Sequence, residues 1–112
     1  MIPPSPGSPL TPRVARSLAK LGHDIEVARR KRRLTVAAVC ERAGVSPPLY
    51  ARLAAGAAGT SMGALAMVLF ALGMGTPFED LVDPATDDVG LLQDEARLPK
   101  RVRHPRNQSG EL

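Results

Sequence analysis

The chain has 112 residues, with 15 Lys and Arg against 11 Asp and Glu, for a net charge of +4. That length holds one domain with tails and excludes a two-lobed enzyme. The basic balance suits nucleic acid or another acidic partner, and a single Cys40 excludes an intrachain disulfide framework and fits a reducing compartment. Single-strand binders stack bases on aromatic faces; Tyr50, Phe70 and Phe78 are too few and too scattered for that.

Charge is distributed in blocks. Residues 13–33 carry eight Lys and Arg against Asp24 and Glu26. Residues 34–73 carry only Glu41, Arg42 and Arg52. Residues 74–96 carry seven acids and no base, and residues 97–112 carry five bases against Glu111. The order is a basic helix, a near-neutral core, an acidic connector and a basic tail, which suggests separate partners or internal pairing.

Residues 1–12, MIPPSPGSPLTP, hold five of the eleven prolines and are expected to form a disordered tail. They lack a basic region followed by an apolar run, so no secretory signal is expected. Thr11-Pro12 then starts a helix, with Thr as N-cap and Pro in the first position. Val14, Leu18, Leu21, Ile25 and Ala28 recur as one apolar stripe on a helix predicted to run to about Arg33. Arg29 to Arg33 place positive charge where the helix dipole favours it.

Thr35 caps a short second helix that runs through Ala43 and stops at Gly44. Ser46 starts a third, to about Ala55, with Gly56 as its stop. Ser61 starts a fourth, with Met62, Leu65, Ala66, Leu69 and Leu72 inward and Gly73 past its end. Its surroundings, residues 62–75, are the most apolar of the chain but fall short of the ~20 residues that a membrane span needs. Thr76-Pro77-Phe78-Glu79 has the form of a capping box and opens a predicted fifth helix through Val82. No segment alternates like a strand, so the fold class is all-α, with five helices over residues 13–83 and tails at 1–12 and 84–112. So small a domain is marginal alone, and dimerisation would help it.

Residues 34–56, LTVAAVCERAGVSPPLYARLAAG, describe two short helices joined by Ala-Gly-Val-Ser, a helix-turn-helix. Here the chain resembles the phage-repressor and Cro-like family, the XRE-type helix-turn-helix domains. The resemblance is carried by Leu21-Gly22, Ile25, Arg29, Leu34-Thr35, Val39-Cys40, Ala43-Gly44-Val45-Ser46, Tyr50, Leu53, Gly56, Leu65, Ala71-Leu72-Gly73 and Leu81, and covers about residues 21–83. It implies a five-helix repressor-like fold, a homodimer binding double-stranded operator DNA as a repressor or autoregulator, and a cytoplasmic, nucleoid-associated setting. The third helix would be the recognition helix. The extension DDVGLLQDEARLPKRVR is similar to tails on regulators encoded beside HipA-like kinase toxins. That similarity implies a HipB-like antitoxin whose tail, through Lys100, Arg101, Arg103 and Arg106, grips the kinase; a solvated, disordered tail is the equal alternative.

On that reading the third helix turns Pro48, Leu49 and Arg52 outward. Arg52 can bond guanine in a bidentate way, while Pro48 and Leu49 offer apolar contact. Arg29, Arg30, Lys31, Arg32 and Arg33, beside the Thr35 helix start, are expected to meet phosphate, so affinity should be mostly electrostatic. Ser46, Pro47 and the groove-facing turn complete the expected interface.

The chain departs from the family pattern at several points. Val36 stands where relatives often carry Gln, and Pro47 and Pro48 where they are polar. Ala54 replaces the Glu that can pair with the helix-one Arg, which should leave Arg29 free. Ala57-Ala58-Gly59 brings no base to the loop. Ser46 would have to cap the N–H of Leu49, and because Pro48 disfavours α geometry at Pro47, a start one residue late is open. These departures favour a rival reading, an interaction module that neutralises or recruits a protein with little base readout.

The remaining residues read plainly. Tyr50, Cys40, Met62, Met67 and Met74 are expected in the core. His23 and Asp24 diverge on a helix and make a poor metal or acid/base pair. No Gly-rich phosphate loop, nucleophile elbow or zinc spacing occurs, so no enzyme and no cofactor is expected.

Overall fold

The computed structural model describes residues 9–87 and 97–102, and among these there are four α-helices and no strand. They are α1 (Pro12–Lys31), α2 (Val36–Ala43), α3 (Pro47–Ala54) and α4 (Met62–Ala71), followed by two short 3₁₀ turns, Pro77–Glu79 and Pro84–Thr86. The helices belong to one unit, residues 4–78; residues 79–112 with 1–3 make up another. None of the described helices is long and apolar enough to cross a membrane.

Each α-helix begins at a hydroxyl cap. Thr11 accepts from the N–H of Val14, Thr35 from Ala38, Ser46 from Leu49 and Ser61 from Ala64, at 3.0–3.3 Å. Each cap satisfies an amide that the helix itself leaves without a partner. α1 stops at Lys31, two residues earlier than the apolar stripe suggests. Arg33 takes a left-handed φ of 56°, and the N–H of Leu34 reaches the Arg29 carbonyl (3.2 Å) while that of Arg33 reaches Arg30 (3.0 Å). This is the paired closure that a glycine usually supplies, made here by an arginine. After α2 a glycine does turn the chain, Gly44 at φ 69°, with its own N–H and that of Val45 both donated to the Cys40 carbonyl.

The core gathers Ile25 of α1, Val39, Cys40 and Ala43 of α2, Tyr50 and Leu53 of α3, and Ala64, Val68, Leu69 and Leu72 of α4. α4 packs chiefly against α2, and α3 against α1 and α2. Val14 lies outside this core, exposed on the first turn of α1. Two glycines let α3 and the turn after it lie directly on α1. A methyl group at Gly22 would fall on the Ala54 carbonyl and 2.8 Å from the Leu53 oxygen. One at Gly56, itself at φ 76°, would sit 2.7 Å from the backbone of Leu18 and Ala19.

Two expectations are corrected. The inward face of α4 is only partly the predicted one: Leu69 and Leu72 are buried and Leu65 packs against the core as expected, but Ala64 and Val68 are buried beside them, Ala66 is only partly buried and Met62 is 75% exposed. Met67 and Met74 are exposed too, so none of the three methionines fills the core. An all-apolar helix carries no polar side to set its rotation. The fifth helix does not form either. Only Pro77–Glu79 turn, as 3₁₀, and Leu81 and Val82 are exposed rather than packed. With no buried face to repay helix nucleation, one turn is all that the capping sequence sustains.

Candidate nucleic-acid interface

α2 and α3 are joined by Gly44, Val45 and Ser46 alone, and α3 starts at Pro47 without delay. The two prolines occupy positions whose amides a helix does not use, and Ser46 Oγ accepts the next available N–H, from Leu49, at 3.2 Å. One consequence is chemical. With no N–H on Pro47 or Pro48 and that of Leu49 taken, the first turn of α3 has no free backbone donor. At α2 the N–H groups of Ala38 and Val39 are taken by Thr35, which leaves those of Val36 and Ala37 as the outward donors.

α3 is held against α1 by a partly buried polar cluster. Tyr50 donates its hydroxyl to Glu26 Oε1 at 2.5 Å. Arg29 donates from Nε to the same oxygen and from Nη2 to Oε2, both at 3.0 Å, and from Nη1 to the Leu34 carbonyl at 2.8 Å. Arg29 is therefore not free. Its guanidinium is spent on Glu26 and on the turn that ends α1, and the structure removes it from the set of available cations. The Glu26–Arg29 spacing of i, i+3 was readable in the sequence, as was the need of a buried Tyr50 hydroxyl for a partner; Glu26 was the residue that the motif reading passed over.

The cluster shifts the acidity of its members. The Arg29 and Tyr50 hydrogen bonds hold the Glu26 carboxyl down from an ordinary 4.5 to about 2, against the opposing effect of burial. Burial, and then the bond to Glu26, push the Tyr50 hydroxyl up to about 12. Hydrogen bonding to Glu26 likewise raises Arg29. Because the folded carboxyl binds its proton more weakly than the unfolded one, the cluster's contribution is complete above about pH 4.5 and is lost as the pH falls toward 2. The Glu26 side chain is still 25% exposed, so we assign the contribution about 2 kcal/mol rather than the full value of the shift. Wild type should lose that much stability between pH 5 and 2.5 in urea melts, and Glu26→Gln much less; equal acid sensitivity in both would remove the cluster's role.

Three contacts fix the direction of α3 on α1. Gly56 meets Leu18 and Ala19, Leu53 and Ala54 meet Gly22, and Tyr50 meets Glu26. These contacts pair in antiparallel order, so the start of α3 points toward the C-terminal end of α1. Arg30, Lys31, Arg32 and Arg33 are exposed at that end, and Leu34 leads directly into α2. Arg32 returns one donor to the Ala28 carbonyl at 3.0 Å. Arg30, Lys31 and Arg33 make no ion pair among the described residues. Pro47, Pro48 and Arg52 are exposed on α3, and Leu49 is half-buried. Of the sequence-predicted set, Ser46, Pro47 and Pro48 at the start of α3 face the same end of this unit as Arg30 to Arg33, whereas Arg52 stands in the last turn of α3, near Gly59, Leu49 packs against the core, and Arg29 is engaged by Glu26.

The other expected sites fare differently. Lys100 and Arg101 are exposed, while Arg103 and Arg106 lie outside the described residues. Cys40 is buried and its thiol is pushed up by burial, the opposite of a reactive thiolate. Asp24 pairs with Lys20 at 2.6 Å. Compared with family models, with curated proteins and with solved structures, the chain finds no match.

Proposed function

We propose that this chain is a double-stranded DNA-binding regulator of the XRE helix-turn-helix type, acting as a symmetric pair on an operator. The observation that carries the reading is the antiparallel seating of α3 on α1. It turns the start of a short helix toward the end of α1, where Arg30, Lys31 and Arg33 make no ion pair among the described residues. A helix of that kind enters the major groove with its N-terminal half toward the bases, and the neighbouring cations and the α2 amides of Val36 and Ala37 meet the phosphates on either side. Repression of its own promoter follows from occupancy of such a site, and a kinase-type toxin is the partner that the tail's similarity suggests.

Arg52 is the base reader in this scheme. Arg52→Ala should cost about 1–3 kcal/mol of discrimination between operator and scrambled duplex, while leaving binding to scrambled duplex nearly unchanged. Fluorescence anisotropy on the chain's own upstream region measures both. Absence of binding to any duplex at low salt would sink the reading. It would favour the second one, a protein-recruiting module, for which the apolar start of α3 at Pro47, Pro48 and Leu49 is the specific support.

A further inference from the structure

The outer face of α4 has no role in the DNA reading, and it is the least expected surface on the molecule. Met62 is 75% exposed, Met67 46%, Phe70 60% and Met74 47%. No charged residue occurs between Arg52 and Glu79. Soluble helices of this kind normally turn a polar side outward, so α4 is apolar on a side that its own unit does not cover.

We infer that this face pairs two copies of the chain, α4 against α4, about a two-fold axis. The spacing is the first argument. Within α4, Gly63, Met67 and Phe70 follow one another at intervals of 4 and 3, the alternation that keeps a seam facing a partner helix, and Met74 lies just past the helix end, beyond the left-handed Gly73. Gly63 is open within the chain, with nothing within 4 Å of where its Cβ would lie. Glycine weakens a helix relative to alanine, and no contact inside the chain requires it there. Charge is the second argument. In a two-fold interface each patch meets itself, so any net charge repels its copy; a charge-free face avoids that, and it offers an oppositely charged partner nothing to grip. Area is the third. The four exposed side chains offer on the order of 400 Å² per copy, which places the pair among weak interfaces of under about 1,200 Å² in total. A pair this small is weak and reversible, and area alone does not set its affinity. α4 packs chiefly against α2, so pairing through its far side leaves Arg52 and the basic end of α1 open.

The inference deepens the operator reading, which requires two copies, and its test is run without DNA so that the two fail separately. Sedimentation equilibrium of the full chain from about 1 to 200 µM should show a monomer–dimer equilibrium. Met67→Glu and Phe70→Glu should each weaken it at least about thirtyfold, with helical circular dichroism unchanged. Mild oxidation of Met67→Cys should give a covalent dimer, while the wild type, whose Cys40 is buried, gives none. A monomer throughout that range, or self-association that both glutamates leave intact, overturns the inference. Should either glutamate variant lose its helical signal, the cysteine experiment decides alone, and its failure to cross-link overturns the inference equally.

Discussion

Gly22→Ala is expected to lose about 2–3 kcal/mol of stability, although alanine is the better helix former. Helix propensity returns up to about 1 kcal/mol in the middle of α1. The added methyl, however, falls on the Ala54 carbonyl, and the Leu53 oxygen lies 2.8 Å away. Both are backbone atoms at the end of a helix, so no side chain can rotate out of the way. Relief requires α3 to lift from α1, which stretches the Tyr50–Glu26 bond one turn further on and loosens Leu53 in the core. Overpacking of this kind costs about 1–3 kcal/mol and more where the obstacle is rigid. In a domain of this size each kcal/mol moves the melting point by about 4–8 °C, so a fall of about 10–20 °C is expected in a thermal melt. An unchanged melting point would mean that α1 and α3 do not approach as closely as their glycines imply.

On the proposed DNA reading, removing the basic end of α1 is expected to have the largest effect on affinity. Four phosphate contacts, one for each of Arg30, Lys31, Arg32 and Arg33, make affinity fall about 150-fold between 50 and 200 mM salt. The triple variant Arg30→Gln, Lys31→Gln, Arg33→Gly leaves one contact, and the same change of salt should then cost only about fourfold. The glycine is chosen because Arg33 sits at φ 56°. A left-handed non-glycine residue costs about 1–2 kcal/mol, so this substitution removes charge while holding or raising the melting point. Lost affinity with a retained melt is then electrostatic, not unfolding. An unaltered salt slope would place the DNA contacts elsewhere.

The starts of the helices were legible because each is a local event: a hydroxyl, three residues and one amide. Thr11, Thr35, Ser46 and Ser61 all cap where the sequence places them. Even the reach of Ser46 past two prolines to Leu49 followed from counting which amides exist. The inward face of α4 was only partly legible: Leu69 and Leu72 are buried where the sequence places them, but Ala64 and Val68 are buried and Met62 is not, because a helix without a polar side fits its neighbours by shape, and shape depends on residues distant in sequence. Arg29 was misjudged for a related reason. A pairing pattern taken from the family that the sequence resembles directed attention to position 54, whereas the carboxylate that binds it stands one turn back on its own helix, at Glu26. The expected fifth helix shows that a capping signal cannot sustain a helix that has nothing to bury.

The proline pair at the start of α3 has a consequence that is best counted in information. With no amide to offer there and apolar rings in place of polar side chains, the helix would recognise its operator through a single charged residue, Arg52. One bidentate contact of about 1–3 kcal/mol separates sites by a factor of roughly 5 to 160, far less than a genome of about a million or more competing positions demands. On the DNA reading, a lone copy would therefore be close to blind to sequence. Two copies on a rigid two-fold multiply their preferences, and the fixed distance between them excludes most chance matches. Selectivity would then belong to the pair, and the concentration at which the pair forms would set the threshold for repression.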